Sequence, residues 1–134
     1  MNCRLYAGFA ASLLAAAGCQ THLQAPPVGL LAEPTPYVTL DELSGALSYD
    51  DSLVLVEFCV PVSCSRCSTM RDSIDQLASE RRGRLTVRRV DLRQHPQLTW
   101  EFELATCPSY IVFRDGEEVF RASYPTSVDI IAAA

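Results

Sequence analysis

The apolar positions of the chain change period several times, and each change marks an element. Leu53 to Phe58 is an almost unbroken run of branched and aromatic residues, the pattern of a strand buried on both faces. Met70, Ile74, Leu77 and Ala78 then recur at helical spacing and predict a helix from Cys64 to about Arg82, ended by Gly83. Leu85 to Leu92 returns to strand character, with Leu85, Val87 and Arg89 on one face. His95-Pro96 opens a short helix carrying Leu98, Phe102 and Leu104. Tyr110–Phe113 and Val119–Ala122 read as third and fourth strands, joined by the hairpin signal Asp115-Gly116.

Upstream, Thr39-Leu40-Asp41-Glu42 has the form of a capping box and starts a helix that runs to about Ser48. Tyr37-Val38 just before it forms a very short edge strand. Asp50-Asp51 makes a turn, and Ser127–Ala134 supplies a short last helix. Strands alternating with helices and ending in a hairpin predict an α/β fold: a central mixed sheet of four to five strands with helices on both faces.

The beginning of the chain follows a different pattern. Met1-Asn2-Cys3-Arg4 is followed by an uncharged run from Leu5 to Gly18, suited to the apolar region of a signal peptide and short for a bilayer of about 30 Å. It ends in Ala16-Ala17-Gly18-Cys19, which resembles the lipobox of bacterial lipoproteins, although Ala16 stands where that motif prefers Leu. The resemblance implies a cleaved leader over residues 1–18 and lipidation of Cys19; the plain alternative is an ordinary secretory signal. Residues 19–36 hold Pro26, Pro27, Pro34 and Pro36 among small and polar residues, a composition that makes an extended tether. The domain proper is expected over 37–134, outside the cytoplasm and held to the periplasmic side of a bacterial membrane by its lipid, or secreted to the periplasm.

Composition narrows the function classes. With 134 residues there is room for one domain, and a hydrophobic fraction of 49% excludes a wholly disordered chain. A net charge of −5 argues against nucleic acid as a partner, since phosphate neutralisation needs a basic face. Every one of the 11 basic residues is Arg, and the cluster Arg81-Arg82, Arg84 and Arg88-Arg89 reads as solvated faces.

The chemistry rests on cysteine. Of the 6 present, the lipobox resemblance assigns Cys3 to the leader and Cys19 to the lipid, which leaves Cys59, Cys64, Cys67 and Cys107. Cys64-Ser65-Arg66-Cys67 is a C-x-x-C motif set between a buried strand and the first turn of an amphipathic helix. Helix N-termini offer unpaired N–H groups and a partial positive charge, both of which favour a thiolate, and Arg66 adds a formal charge. The first Cys is therefore expected to be exposed and nucleophilic, the second buried.

In these features the chain resembles the thioredoxin family over roughly Tyr37 to Ala122. Val54–Phe58 is similar to the strand before the active site, Cys64–Cys67 to the redox motif, Thr106-Cys107-Pro108-Ser109 to the cis-proline loop, and Phe113–Glu117 to the closing hairpin. Departures are Ser63 before the motif, Ser65-Arg66 inside it, Cys59 in place of a tryptophan, an extra residue between Phe58 and Cys64, and Asp72 where the active-site helix usually has proline. The resemblance implies a thiol–disulfide oxidoreductase that exchanges with protein thiols or disulfides and is recharged by a further redox partner. Cys64 attacks, Cys67 resolves, and Glu57 takes the place of the buried acid that helps move the proton of the second Cys. Cys107, Pro108 and Arg66 border the substrate. No cofactor is needed and no metal is assigned.

Other readings use the same residues. Cys59-x4-Cys64-x2-Cys67 with Cys107 has a plant-type iron–sulfur spacing. A redox-inactive binding module could also use the fold, although an intact C-x-x-C speaks against it. Cys107 beside the redox pair has three open fates: inert packing, an alternative disulfide partner, or a soft-metal ligand with the other two.

Overall fold

A computed structural model describes residues 32–49 and 52–134; the expectations for the leader, Cys19, most of the tether and the Asp50-Asp51 turn lie outside these residues. The elements follow in the order α1 (Leu40–Tyr49), β1 (Leu53–Cys59), α2 (Ser65–Glu80), β2 (Leu85–Asp91), α3 (Leu98–Glu101), β3 (Ser109–Arg114), β4 (Glu117–Ser123) and α4 (Val128–Ala132). The sheet runs β2-β1-β3-β4. β1 and β2 are parallel, with α2 as their crossover, while β1–β3 and β3–β4 are antiparallel.

Period-two alternation in β1 divides the core into two layers. Val54, Val56 and Phe58 face Leu43 of α1, Leu98 of α3, Leu104 and the β3 residues Ile111 and Phe113. Phe102 leans on this layer with its ring 4.9 Å from Phe58 and 6.1 Å from Phe113. On the other face Leu55 meets Met70, Ile74 and Leu77 of α2, Val87, Tyr110, Val112 and Ile131 of α4. Helices therefore cover both faces, as the alternating pattern predicts.

The ends of the elements follow local chemistry. Thr39 and Glu42 close the reciprocal capping box: the Thr39 N–H donates to Glu42 Oε2 at 2.8 Å, and the Glu42 N–H to Thr39 Oγ1 at 3.3 Å. Asp115 and Gly116 both have positive φ (54° and 78°), the requirement of a tight turn whose twist matches the strands it joins. α3 is shorter than the apolar spacing predicts. The backbone turns left-handed at Glu103 (φ 50°), and Leu104 enters the core from a loop. The fifth strand reduces to one parallel bridge, Tyr37 to Arg89.

Of the two expectations for Arg89, the structure keeps the face shared with Leu85 and Val87 and corrects the solvated one: Arg89 is 2% exposed and bonds Asp75 of α2. β1 pairs Glu57 with Arg89 on one side and with Tyr110 on the other, so the three residues stand side by side in adjacent strands. Arg89 Nε donates to Glu57 Oε2 at 2.5 Å and Nη2 donates to Asp75 Oδ1 at 3.3 Å. Nη1 donates to the Thr35 carbonyl at 3.1 Å, while the Thr35 N–H donates to Asp75 Oδ1 at 2.8 Å. The docked structure thus reaches back to Thr35, which is itself buried.

Removing the cation from this centre leaves two buried carboxylates without their partner, an arrangement that typically costs about 3–5 kcal/mol. We expect Arg89→Met to lose stability on that scale in urea denaturation. Adding Glu57→Leu and Asp75→Leu to it should restore part of the loss, because an apolar replacement of the whole cluster leaves no unpaired charge.

Candidate redox site

Strand β1 delivers the chain to the site and helix α2 receives it. After Cys59 the segment Val60-Pro61-Val62-Ser63 links the end of β1 to α2. Ser63 takes a left-handed conformation (φ 65°), uncommon for a residue with a side chain, and the next residue is the cap of α2. That cap is Cys64, in extended geometry, its sulfur accepting the Cys67 N–H at 3.2 Å. A cysteine sulfur therefore does the work usually given to a Ser or Asp oxygen at this position.

Cys64 and Cys67 form a disulfide with Cα atoms 5.3 Å apart. Cys64 is half-buried and Cys67 is 1% exposed, the asymmetry that the motif predicts. A second backbone donor, the Val60 N–H, lies 3.5 Å from Cys67 Sγ. The fixed N–H groups of the first helical turn and of the preceding loop thus face both sulfurs, where they lower the cost of negative charge.

The loop before β3 closes the site from the other side. The Cys107–Pro108 peptide is cis, and Pro108 is fully buried. Ser109 Oγ donates to the Thr106 carbonyl at 2.6 Å, and the Tyr124 N–H donates to the Pro108 carbonyl at 3.0 Å, which fix the loop to β4. This places Cys107 Sγ 3.4 Å from Cys67 Sγ and 3.8 Å from the Phe58 carbonyl. The sulfurs of Cys64, Cys67 and Cys107 all lie within 4.8 Å of one another. Burial pushes the Cys107 thiol up, while the Val60 backbone and the Arg66 charge pull it down.

Arg66 points across the site. Its Nη1 donates to Thr106 Oγ1 at 3.2 Å, and its guanidinium lies 5.5 Å from the centre of the Tyr124 ring, so it ties the start of α2 to the proline loop. Glu57 is buried at 1% exposure and also accepts from the Tyr110 hydroxyl at 3.4 Å. Burial pushes its carboxyl up, against the opposing pull of Arg89. For Arg89 burial works against the charge, but Glu57 and Asp75 outweigh it and hold the guanidinium above its ordinary value. The sequence reading missed Asp75 and Arg89 as parts of this centre. Asp75 falls eight positions after Cys67, on the buried side of α2, and that polar break in an apolar stripe was the available signal.

Cys59 stands apart from the three-sulfur group. Its sulfur meets the Tyr37 hydroxyl at 3.6 Å, and burial, with Glu57 next, pushes its thiol up to about 12. An iron–sulfur set of Cys59, Cys64, Cys67 and Cys107 is therefore not assembled: among the described residues the compact group is Cys64, Cys67 and Cys107.

Comparison with known proteins agrees with this geometry. The thioredoxin family profile matches residues 35–133. The bifunctional thioredoxin reductase/thioredoxin of Mycobacterium leprae (strain TN) is 34% identical over 68 residues, covering 51% of this chain and 15% of that protein. Thioredoxin X, chloroplastic, of Arabidopsis thaliana is 33% identical over 78 residues, covering 58% of this chain and 42% of that protein. The chain thus spans well under two thirds of the length of these relatives. Among solved structures, a mutant thioredoxin from Halobacterium salinarum NRC-1 superposes with a TM-score of 0.65 at 22% identity, over 77% of this chain and 88% of that one, a likeness of fold. A family match running from the docked Thr35 almost to the C-terminus, over a sheet that brings a C-x-x-C pair to a cis-proline, leaves one assignment: the chain belongs to the thioredoxin family.

Proposed function

We propose that this protein is a thiol–disulfide oxidoreductase acting on protein thiols and disulfides through Cys64 and Cys67. The observation that carries the reading is the disulfide itself, with one sulfur half-exposed at the cap of α2 and the other buried one turn on. Two relatives named thioredoxin support it.

In the reducing direction the Cys64 thiolate attacks a substrate disulfide. One substrate sulfur leaves as a thiolate, and a mixed disulfide forms through Cys64. The Cys67 thiolate then attacks Cys64 Sγ, the second substrate sulfur leaves, and the Cys64–Cys67 bond closes. Two electrons pass to the substrate, and a further redox partner returns them. The oxidising direction is the same sequence reversed.

Glu57 assists by taking the proton of Cys67. What supports this role is a carboxyl pushed up by burial on the sheet face that α2 covers, since an acid with a raised pKa is better matched to a thiol. Pro108 and the Cys107 backbone shape the groove for the substrate chain, with Arg66 at its border. The lipobox-like Ala16-Ala17-Gly18-Cys19 supports export, with residues 1–18 removed and Cys19 lipidated as an anchor on the periplasmic side of a bacterial membrane.

Reduction of insulin disulfides by dithiothreitol provides the test. The wild-type chain should accelerate it, and Cys64→Ser should abolish the effect. Cys67→Ser should lose turnover but accumulate mixed disulfides through Cys64. Equal trapping by the two variants would reverse the assigned roles, and turnover by Cys64→Ser would remove the mechanism.

The anchor is checked separately by intact mass. Protein extracted from membranes should begin at Cys19 and carry a diacylglycerol increment, and Cys19→Ala should be released from the membrane. A mature chain that starts elsewhere and carries no lipid would overturn it.

A further inference from the structure

The geometry points to a copper(I) site made by the thiolates of Cys64, Cys67 and Cys107 when the Cys64–Cys67 pair is reduced. All three sulfurs lie within 4.8 Å of one another, and Cys67 and Cys107, which share no bond, are 3.4 Å apart. A trigonal thiolate site with metal–sulfur bonds of about 2.3 Å requires sulfurs about 4 Å apart. Reduction releases the Cys64–Cys67 bond and lets those two sulfurs move out to such a separation. With Cys67 and Cys107 at 3.4 Å and all three sulfurs within 4.8 Å, the spacing needed is already bracketed by the distances in the structure.

The donor set selects the metal. Three soft thiolates and no other metal-binding group make up this cluster, and that set favours copper(I). Zinc has to find a fourth ligand to reach its tetrahedral geometry. His95 lies outside the cluster, and Cys59 is occupied with Tyr37.

The surroundings suit the charge. Three thiolates with one copper(I) carry a net charge of −2. Cys64 Sγ accepts the Cys67 N–H at 3.2 Å, and Cys67 Sγ lies 3.5 Å from the Val60 N–H. The positive end of the 16-residue α2 starts here, and the Arg66 guanidinium is fixed over Thr106 beside Cys107. Cys64 and Cys107 are half-buried, so an ion has a route in, while Cys67 is closed off behind them.

Binding is not a redox step. The thiols lose their protons to solvent, three copper–sulfur bonds form, and no electron moves. The copper-loaded state and the disulfide are mutually exclusive because they use the same two sulfurs. The site is independent of whether the pair turns over protein substrates, since it needs only the reduced thiols.

The test uses the full chain with Cys3→Ser and Cys19→Ser, so that Cys59 is the one thiol outside the cluster. The reduced protein is titrated anaerobically with copper(I) against the chelator bathocuproine disulfonate, and sulfur ligands are counted by X-ray absorption. We expect one copper per chain with three sulfurs. Cys107→Ser and Cys107→Val should each drop to two sulfurs and bind at least about tenfold more weakly, the lower scale for damage to a metal site. Cys59→Ala should keep the three-sulfur site. Failure of the parent chain to hold copper against the chelator overturns the inference, as does a Cys107 variant with unchanged affinity and sulfur count. Tighter retention of zinc than of copper(I) overturns the choice of metal. Because no substrate is present, a negative insulin assay leaves this result standing, and the reverse also holds.

Discussion

A single buried guanidinium joins the parts of this domain that must stay in register. Arg89 of β2 bonds Glu57 of β1, Asp75 of α2 and the backbone of Thr35, so one side chain ties two strands, helix α2 and the entering chain together. Charges at this depth are costly unless every partner is in place. That requirement makes the centre a check on geometry: shifting β2 by one residue would turn Arg89 out to the opposite face and leave Glu57 unpaired. Tyr110 extends the same constraint into β3 by donating to the other Glu57 oxygen, and β3 is the strand that follows the proline loop.

The redox site inherits its precision from this arrangement. Cys67 lies two turns before Asp75 on α2, Cys59 lies two residues after Glu57 on β1, and Cys107 lies three before Tyr110. Each sulfur-bearing segment is thus a short continuation of an element anchored at the ionic centre. Nothing comparable holds the outer surface of the molecule among the described residues. Arg121 pairs with Glu118 at 2.7 Å across a partly exposed stretch of β4, a pair of the kind that contributes little.

What could be read from the sequence depended on whether a residue's role was set locally. The capping box at Thr39, the hairpin at Asp115-Gly116 and the stripe of Met70, Ile74 and Leu77 are short-range patterns, and each appears where expected. The C-x-x-C pair was legible because strand and helix periods meet at it. Arg89 was legible only in part: its period put it on a face with Leu85 and Val87, while composition put it in solvent beside Arg88, and only Glu57 across the sheet, 32 positions back, and Asp75 on α2, 14 back, explain its burial. The end of α3 was overextended for a related reason. Phe102 falls four positions after Leu98, a helical spacing, and Leu104 two further on, but the left-handed turn at Glu103 lets Leu104 reach the core from a loop. The closeness of Cys107 to Cys67 came from the family resemblance of its loop, not from local pattern.

Replacing the residue before the proline by cysteine changes what the centre can store. In a two-thiol site the oxidised and reduced states differ by one bond. With a third sulfur 3.4 Å from the buried member, Cys67 has two sulfur neighbours, and its environment in the reduced state is set by Cys107 as well as by Cys64. Burial pushes the Cys107 thiol up, against the opposing pull of the Val60 backbone and the Arg66 charge. A soft cation changes that balance, because metal–sulfur bonds replace the proton directly. The two proposed uses of the cluster, disulfide exchange and copper(I) binding, therefore draw on the same two sulfurs of Cys64 and Cys67, and Cys107 belongs to the second alone.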